Sequence, residues 1–452
     1  MSAAPATDTI AAVATPPGRG AVGILRLSGP AAFSISEKIA GALPPARRAA
    51  LRHFRDNQGA ALDQGLLLRF AAPNSFTGED VVELQGHGGP VVLDLLLRAA
   101  CALGARVARP GEFSERAFLN GRMDLVQAEA VADLINAANA QAARAANRSL
   151  DGELSRRVRA LLEELTQLRV FVEGALDFSD EDVNWLADNQ LRTRIETLCT
   201  HLQELLRRAH QGRRLREGIV IALTGQPNVG KSTLLNCLAG ADVAIVTEIA
   251  GTTRDVLREN LDLGGLPVTL VDTAGLRESA GDPIEREGMR RAREALARAE
   301  LALFLLDDRK GLSAADRRLL AQLPQGPQLL MLHNKCDLTA RAPEVFEADG
   351  RRHVRLSAAQ GAGIELLIGE IKTAAGFHTG ESLFSARTRH VHALTRTLAC
   401  VRDAQARLLE GATPELAAEE LRLAQQSLAE ITGAFTSDDL LGRIFSAFCI
   451  GK

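Results

Sequence analysis

The sequence lacks the features that would indicate a secreted, membrane-bound or zinc-stabilised protein. Its six cysteines are scattered among 452 residues, and no two of them form a Cys-x-x-Cys pair. This spacing argues against both a disulfide framework and a zinc site. No apolar run approaches the roughly 18 residues that a membrane helix needs, and the first ten residues are too short and polar for a signal peptide. We therefore expect a reducing, cytoplasmic compartment and no association with a membrane.

The net charge and the length of the chain exclude fewer classes of protein than these absences do. The apolar content of 46%, the charged content of 24% and the net charge of −3 are typical of a soluble globular protein. A chain of 452 residues predicts roughly two to four domains. Two arginine-rich clusters are interpreted either as solvated helix faces or as nucleic-acid contacts, because a local basic face can be hidden in a total charge. These clusters are Arg156, Arg157 and Arg159, and Arg207, Arg208, Arg213, Arg214 and Arg216.

The order of patterns along the chain predicts a multidomain protein with α/β and all-α parts. Residues 1–120 mix strand and helix patterns, which predicts an N-terminal α+β domain. Residues 121–216 and 378–452 repeat apolar side chains at three- and four-residue steps, which is typical of amphipathic helices. Residues 217–377 contain short buried-strand patterns instead. The simplest interpretation is a discontinuous helical domain interrupted by an inserted nucleotide-binding domain.

Four polar, glycine-containing segments of the N-terminal domain are predicted to be loops that turn the chain or contact a ligand. Periodicity alone favours turns. His87, which lies between two glycines, is interpreted as a turn or packing residue rather than a catalytic one. The four segments are residues 15–20, 74–80, 85–90 and 109–116.

Residues 225–232 (Gly-Gln-Pro-Asn-Val-Gly-Lys-Ser) match the phosphate-loop pattern GxxxxGK[ST]. An apolar strand pattern precedes this loop and a helix pattern follows it, which is the context that the motif requires. Glycines let the backbone curl so that its N–H groups and the helix N-terminus face an anion. We expect Lys231 to reach the terminal phosphates and the Ser232 hydroxyl to hold Mg²⁺. The expected phosphate contacts are Asn228, Val229, Gly230, Lys231, Ser232 and Thr233.

Three further motifs follow in the order typical of a Ras-like GTPase. Residues 247–255 contain adjacent threonines, as a first switch does, and a strand pattern ends at Asp272 near Gly275. The Asp337 carboxylate can accept both the ring N–H and the exocyclic amine of guanine, and adenine offers no such pair of donors. A loop amide at residues 357–359 would meet the guanine carbonyl. The residues expected to line GTP in these motifs are Thr247, Glu248, Ile249, Ala250, Gly251, Thr252, Thr253, Asp272, Thr273, Ala274, Gly275, Asn334, Lys335, Asp337, Ser357, Ala358 and Ala359.

Hydrolysis requires a separate argument, because Leu276 occupies the position where small GTPases place the glutamine that orients water. Either hydrolysis is slow, or another group supplies the contact to water and the positive charge. Asn228 is a candidate for holding a monovalent cation beside the phosphates.

The chain closely resembles the MnmE (TrmE) family of tRNA-modification GTPases over essentially its whole length. The resemblance rests on residues 15–20, 74–80, 109–118, 249–255 and 448–452. It implies that the N-terminal domain is similar to folate-binding modules, forms a constitutive homodimer and binds 5-formyl- or methylene-tetrahydrofolate. The positions that match the folate contacts are Arg26, Glu83, Arg122 and Lys452. Family members often have lysine where this chain has Arg122, and the two side chains differ in geometry.

The resemblance also implies an activity and a partner. The family works with the flavin- and NADH-dependent protein MnmG (GidA), and adds a carboxymethylaminomethyl or aminomethyl group to C5 of a wobble uridine in tRNA. It implies K⁺-stimulated GTP hydrolysis in which Glu285, rather than Glu287, orients water. The matching metal positions are Ser232 and Thr253 for Mg²⁺, and Asn228, Thr247, Ile249 and Thr252 for K⁺.

Cys449 has two interpretations. From its pattern it is a buried thiol that ends an amphipathic helix. The resemblance instead implies that it is needed for modification, as a nucleophile toward uridine or as a group of the folate site. For the whole chain two other functions stay open: a GTP-dependent switch in ribosome assembly or signalling, and a folate enzyme that uses GTP for assembly alone.

Overall fold

The computed structural model describes residues 8–177, 189–240, 258–272, 299–324, 326–377, 383–410, 414–434 and 438–451. The chain divides into two compact units. The first unit comprises Met1–Ala132, Leu150–Leu191 and Cys400–Lys452, and the second comprises Asp133–Ser149 and Arg192–Ala399.

A six-stranded sheet lies at the centre of the first unit. Its elements are β1 (Ile10–Val13), β2 (Gly20–Ser28), α1 (Ala32–Ala40), β3 (Ala50–Arg55), β4 (Ala61–Phe70), β5 (Val81–Gly88), α2 (Pro90–Ala102), β6 (Arg106–Val107) and α3 (Glu112–Leu119). The strand order is β3-β4-β5-β2-β1-β6, and all neighbours are antiparallel except β1 and β6. Because side chains alternate along strands, one face buries Leu25, Leu67 and Leu84 against Ile35 of α1 and Leu96 of α2.

Two segments that the sequence predicts to be loops are partly regular. Strand β5 continues through residues 85–88, and helix α3 begins inside the segment 109–116. The helix starts there because Gly111 turns the chain with a φ of 68°. The Glu112 carboxylate then accepts the main-chain N–H of Arg109 at 2.8 Å, which satisfies one of the free donors before the first turn.

The next four helices are α4 (Leu125–Ile135), α5 (Ala140–Leu150), α6 (Glu153–Asp177) and α7 (Asn189–Glu217). The predicted helical character of this segment is confirmed, but the break between α4 and α5 was not indicated by any glycine or proline. The side chain of Asn139 accepts the N–H of Ala142 at 2.8 Å. Asparagine is a preferred N-cap, so Asn139 begins a new helix there.

A seven-stranded sheet lies in the second unit. Its elements are β7 (Ile219–Gly225), α8 (Lys231–Gly240), β8 (Arg258–Leu263), β9 (Leu266–Asp272), β10 (Leu301–Asp307), α9 (Ala314–Ala321), β11 (Gln328–Asn334), β12 (Glu344–Ala348), β13 (Arg351–Arg355) and α10 (Ile364–Ala374). The strand order is β12-β13-β11-β10-β7-β9-β8. The five central strands are parallel, while β8 and β12 are antiparallel to their neighbours. Every residue of β10 is buried, as expected for a central parallel strand.

The last helices are α11 (Thr388–Glu410), α12 (Pro414–Thr432) and α13 (Asp438–Ser446). Helix α12 packs along α6, where Gln425 donates to Thr166 Oγ1 at 3.0 Å. Phe445 and Phe448 pack with Leu125, which joins the end of the chain to α4 within the first unit. Among the helices that the structure describes, none is both long enough and apolar enough to cross a membrane.

Candidate functional site

The carboxyl ends of four parallel strands meet at one edge of the seven-stranded sheet. Gly225 at the end of β7 lies opposite Leu305 of β10. Asp272 ends β9, which is the other neighbour of β7. Asp307 at the end of β10 lies opposite Asn334 of β11. The phosphate-loop residues and two of the predicted nucleotide motifs are therefore at the edge where open parallel sheets bind ligands.

The loop between β7 and α8 has a backbone that two glycines make possible. Gly225, Asn228 and Gly230 have φ values of 144°, 59° and 101°, which side chains rarely adopt. A Cβ atom on Gly225 would lie 2.5 Å from the carbonyl oxygen of Leu305, and one on Gly230 would lie 2.3 Å from Asn334 Nδ2. Neither position has room for a side chain, so the loop can approach its neighbours only with glycine.

Helix α8 begins at Lys231, directly after this loop, and Ser232 and Thr233 are exposed in its first turn. The ammonium of Lys231 curls back and donates to the carbonyl oxygens of Gly225 at 2.8 Å and Gln226 at 3.0 Å. A cation, exposed hydroxyl groups and the N-terminus of a helix are thus gathered at one place, which suits a phosphate.

Asn334 joins the phosphate loop to the loop predicted to meet the base. Its side chain is buried, with 3% of the residue exposed. Its Nδ2 donates to the carbonyl oxygen of Val229 at 2.8 Å, and its Oδ1 accepts the N–H of Ala358 at 2.9 Å. Asn334 therefore holds two loops in place through its own side chain, a role that the motif alone does not reveal.

Lys335 extends the same connection, with a positive φ of 70°. Its ammonium donates to the carbonyl oxygen of Asn228 at 2.6 Å and to Asp307 Oδ2 at 3.1 Å. Hydrogen bonds from Arg309, and then from Lys335, hold the pKa of Asp307 well below its ordinary value although burial would raise it. Sequence reasoning missed Asp307, and its position at the end of the apolar run of β10 was the available signal.

Asp337 presents an unsatisfied acceptor at this edge. Its Oδ1 is buried and has no hydrogen-bond partner within the described part of the chain. A buried polar atom without a partner is costly, and a ligand that brings a donor would remove this cost. In the neighbouring loop the N–H of Ser357 is used by Ala362 and that of Ala358 by Asn334. Ala359, the third predicted residue of this loop, is exposed.

Several predicted site residues lie outside the described residues, so their positions are not assigned. For Asp272 the backbone is described and the side chain is not. The residues outside are Thr247, Glu248, Ile249, Ala250, Gly251, Thr252, Thr253, Thr273, Ala274, Gly275, Leu276, Glu285 and Lys452.

In the first unit, Arg26 and Glu83 lie opposite each other on β2 and β5. Arg26 Nε donates to Glu83 Oε1 at 3.0 Å, and Gln85 donates to the other carboxylate oxygen at 3.2 Å. The guanidinium carbon lies 5.5 Å from the ring centroid of Phe76 and 5.7 Å from that of Phe113. These rings contribute cation–π attraction. The sequence did not identify them as partners of Arg26, although both lie in its predicted loop segments.

The end of the chain comes close to this pair. The carbonyl oxygen of Cys449 accepts the N–H of Gly111 at 3.3 Å. Gly451 packs so closely on β1 that a Cβ atom there would lie 2.3 Å from the carbonyl oxygen of Val13. Strand β1 neighbours β2, which carries Arg26. Cys449 is exposed, so the interpretation of a buried thiol is wrong.

Arg122 and His87 are also exposed. The stem of Arg122 lies against the chain at Gly78, 3.1 Å from a Cβ atom built there. His87 Nδ1 lies 2.7 Å from Asp63 Oδ1, and the imidazole is 75% exposed. Burial would raise the pKa of Asp63, but hydrogen bonds from His87 lower it. His87 lies in strand β5 with its ring exposed, so the interpretation as a turn or packing residue is wrong, while the expectation that it is not catalytic stays a prediction.

The two arginine-rich clusters noted in the sequence are largely engaged in ion pairs within the chain. Arg207 and Arg208 both bind Glu204, at 2.9 and 2.6 Å. The other pairs are Arg157–Glu153, Arg159–Asp124, Arg214–Glu300 and Arg216–Asp133. Six of these eight arginines thus have a carboxylate partner, so of the two interpretations the structure favours helix faces whose charge is largely compensated.

Comparison with known proteins identifies the relatives of this chain. The model of the MnmE helical domain matches residues 125–449, and the model of the GTP-binding protein TrmE N-terminus matches residues 9–122. A tRNA modification GTPase MnmE from Methylococcus capsulatus is 54% identical over 452 residues, covering 100% of both chains. Another with the same name, from Nitrosococcus oceani, is 53% identical over 447 residues, covering 99% of this chain and 97% of that protein.

Solved structures were matched over a smaller part of the chain. The G domain of the T. maritima FeoB iron transporter is 20% identical, covers 35% of this chain and 98% of its own, and superposes with a TM-score of 0.26. A score this low does not support any conclusion about this chain. The two family models do support the fold: the match to the helical-domain model includes the residues of the seven-stranded sheet. This confirms the predicted fold class of an α+β N-terminal domain and a helical domain with an inserted P-loop GTPase domain.

Proposed function

Because the chain belongs to the MnmE family of tRNA modification GTPases, we propose that it hydrolyses GTP to drive modification of the wobble uridine of tRNA. The group added at C5 would be carboxymethylaminomethyl or aminomethyl. The observation that carries GTP binding is the buried, unpartnered Oδ1 of Asp337, beside a phosphate loop that Asn334 holds in place. Adenine offers no paired donors for such a carboxylate.

We propose the following division of tasks around GTP. Main-chain amides of the phosphate loop and Lys231 bind the phosphates, and the hydroxyls of Ser232 and Thr253 hold Mg²⁺, with Asp272 behind them. Bound Mg²⁺ would neutralise charge on the phosphates. The exposed hydroxyl of Ser232, at the start of α8, fits this task because hard cations prefer oxygen ligands.

A monovalent cation would supply further charge. We propose that K⁺ is held by Asn228, Thr247, Ile249 and Thr252, and that Glu285 orients water in place of the glutamine absent at position 276. Asn228 is exposed with a left-handed backbone, and its carbonyl oxygen is held by Lys335. Its side-chain amide, for which the described part of the chain offers no hydrogen-bond partner, would face the phosphates.

For the N-terminal domain we propose binding of 5-formyl- or methylene-tetrahydrofolate by Arg26, Glu83, Arg122 and Lys452. A folate would supply the one-carbon unit of the modification. Glu83 suits the group because a carboxylate can accept the paired N–H donors of a pterin ring. The proximity of the chain end to β1 supports a role for the exposed Cys449 in the chemistry of this site.

We further propose a cytoplasmic homodimer that works with the flavoprotein MnmG and with tRNA. The proposed domains are residues 1–120, 121–216, 217–377 and 378–452. Support for a dimer comes from apolar side chains that the N-terminal domain leaves exposed. Val22 on β2 and Val91 and Leu95 on α2 are 59%, 73% and 43% exposed, and a partner that covered them would remove this apolar area from water.

The test measures GTP turnover and uridine modification together, with and without the flavoprotein. In cells lacking this protein, mass analysis should show wobble uridines without the added group. Unchanged uridines would contradict the proposal and favour a GTP-dependent switch. Replacing K⁺ by Na⁺ should lower turnover sharply, whereas equal rates would contradict the cation site.

A further inference from the structure

A third group of arginines lies in the first unit, in residues 45–57. Within these thirteen residues the chain has Arg47, Arg48, Arg52 and Arg55, together with His53 and a single acidic residue. All four arginines lie on, or directly before, strand β3. We name Arg47, Arg48, Arg52, His53 and Arg55 the basic edge.

The arginines of the basic edge differ from the two clusters in α6 and α7. Within the described residues, no carboxylate lies within 4.0 Å of their guanidinium nitrogens, whereas most arginines of the other clusters have such a partner. Three of the four bind main-chain carbonyl oxygens instead: Arg47 that of Asn74 at 3.0 Å, Arg52 that of Ala42 at 3.1 Å and Arg55 that of Gly59 at 2.9 Å. A neutral acceptor positions a guanidinium but leaves its positive charge uncompensated.

The position of β3 makes these charges accessible. This strand is the last one of the six-stranded sheet, and among the described strands it pairs with β4 alone. Arg52 and His53 point to opposite faces because side chains alternate along a strand. Arg52 and Arg55 are three positions apart, so their guanidinium groups likewise lie on opposite sides of a free strand edge, and Leu51, directly before Arg52, is 60% exposed.

We propose that the basic edge binds the phosphate backbone of tRNA. This inference rests on the proposed function, because it takes tRNA as the substrate. Uncompensated arginines suit a polyanion, and the planar guanidinium matches phosphate oxygens with two parallel hydrogen bonds. An alternative role for such residues is to prevent strand edges from pairing with other chains. That role predicts a change in association between protein chains and none in RNA binding.

The experiment compares two full-length variants that lose the same formal charge. The first carries Arg47→Gln, Arg48→Gln, Arg52→Gln and Arg55→Gln. The control removes four exposed or half-exposed arginines that are ion-paired within their own helices, with Arg192→Gln, Arg207→Gln, Arg208→Gln and Arg422→Gln. Binding of unmodified bulk tRNA is measured by fluorescence anisotropy over a series of salt concentrations, alongside GTP turnover and molecular mass by light scattering.

We expect the first variant to bind tRNA on the order of 100-fold more weakly at about 0.1 M salt. The slope of log affinity against log salt concentration should become less steep by about 3 to 4, because each lost phosphate contact removes nearly one unit of that slope. The control should bind within about 3-fold of the unmodified chain, and GTP turnover of both variants should be unchanged. A third variant with lysine at the same four positions should keep the salt slope, since the charges are kept.

If the first variant and the unmodified chain show equal affinity for tRNA and equal salt slopes, the proposal that the basic edge binds tRNA is wrong, while the proposed function stands. A changed molecular mass with unchanged RNA affinity would also overturn it, in favour of edge protection or an interface between copies. If the unmodified chain does not bind tRNA and wobble uridines are unchanged in cells that lack it, the proposed function fails first and the inference falls with it.

Discussion

The two candidate sites are built in different ways. In the inserted domain, the loop that is predicted to receive phosphates has a main-chain conformation set by Gly225 and Gly230. In the N-terminal domain, the candidate groups are side chains of opposite charge, Arg26 and Glu83, that already bind each other across two strands. The phosphate loop offers hydrogen-bond donors to an anion. The Arg26–Glu83 pair is already neutral, so a ligand there must share hydrogen-bonding groups that the two side chains use with each other. Substitutions should therefore act through backbone geometry in the first site and through charge in the second.

The largest effect should come from Gly230→Ala. The new Cβ atom would lie 2.3 Å from Asn334 Nδ2 at a φ of 101°. Backbone strain and the clash together cost a few kcal/mol, so we expect GTP affinity to fall on the order of 1,000-fold. Titration with a fluorescent GTP analogue measures this. Gly240→Ala is the matched control, since nothing lies within 4 Å of its added Cβ atom. Equal loss in both variants would contradict the backbone argument.

Asp337→Asn should change which base is bound. The carboxylate would lose the two bonds to guanine, and we expect GTP to bind about 100-fold more weakly, at about 1.4 kcal/mol per tenfold change. The asparagine amide can instead donate to the carbonyl that xanthine carries where guanine carries its amine. XTP should therefore support hydrolysis by this variant. Loss of GTP binding without gain of XTP would show that Asp337 acts on the loop rather than on the base.

In the N-terminal domain, a substitution at Glu112 tests how much a buried negative charge contributes to the free energy of unfolding. Burial alone would raise its pKa, but hydrogen bonds from Arg106, the N–H of Arg109 and Arg116 lower it from 4.5 to about 2. A lowered pKa in the folded state means that the carboxylate stabilises the fold above pH 4.5 and loses this contribution as the pH falls toward 2. The shift corresponds to at most about 3 kcal/mol, and partial exposure of Arg106 reduces it to about 2 kcal/mol.

Glu112→Gln should therefore lower the urea midpoint at pH 7 and make it less dependent on pH between 4.5 and 2, as followed by circular dichroism. Glu204→Gln is the control. Hydrogen bonds from Arg207 and Arg208 lower its pKa to about 2 as well, but it lies exposed on α7. Solvent screens such a pair, so less than about 0.5 kcal/mol is expected. Equal effects of the two substitutions would contradict a role for burial.

The smallest effect should come from Glu83→Gln. Glutamine keeps the shape of the side chain but loses its charge, so the bonds to Arg26 and to a folate weaken. We expect affinity for 5-formyl-tetrahydrofolate, measured by calorimetry, to fall about 10-fold, or about 1.4 kcal/mol. GTP turnover should not change. Asp94→Asn, in an exposed pair with Arg98, should leave folate affinity unaltered. A loss of GTP turnover in the Glu83 variant would contradict the separation of the two sites.

Prediction from sequence succeeded where function is carried by short, contiguous motifs. The strands that end at Gly225, Asp272 and Asn334 were expected, and the structure places their ends at one edge. It did not succeed for strands β1 and β3. Strand β1 has only four residues, three of them buried, and β3 is mostly exposed or half-exposed, so neither shows a clear alternation of apolar and polar residues. Helix α3 was missed for a local reason, since its start depends on the contact between Glu112 and the amide of Arg109.

The sequence by itself determined the family, the order of nucleotide motifs and the presence of an inserted domain. Each of these depends on residue types at fixed local spacing. Tertiary structure alone decided which charges are free. Arg159 and Arg52 look alike in the sequence, but Arg159 meets the carboxylate of Asp124, 35 residues earlier in the chain, and Arg52 meets a main-chain carbonyl. Tertiary structure also decided that Cys449 is exposed and that its carbonyl oxygen meets the amide of Gly111. Such contacts depend on where distant parts of the chain meet, and local pattern carries no information about that.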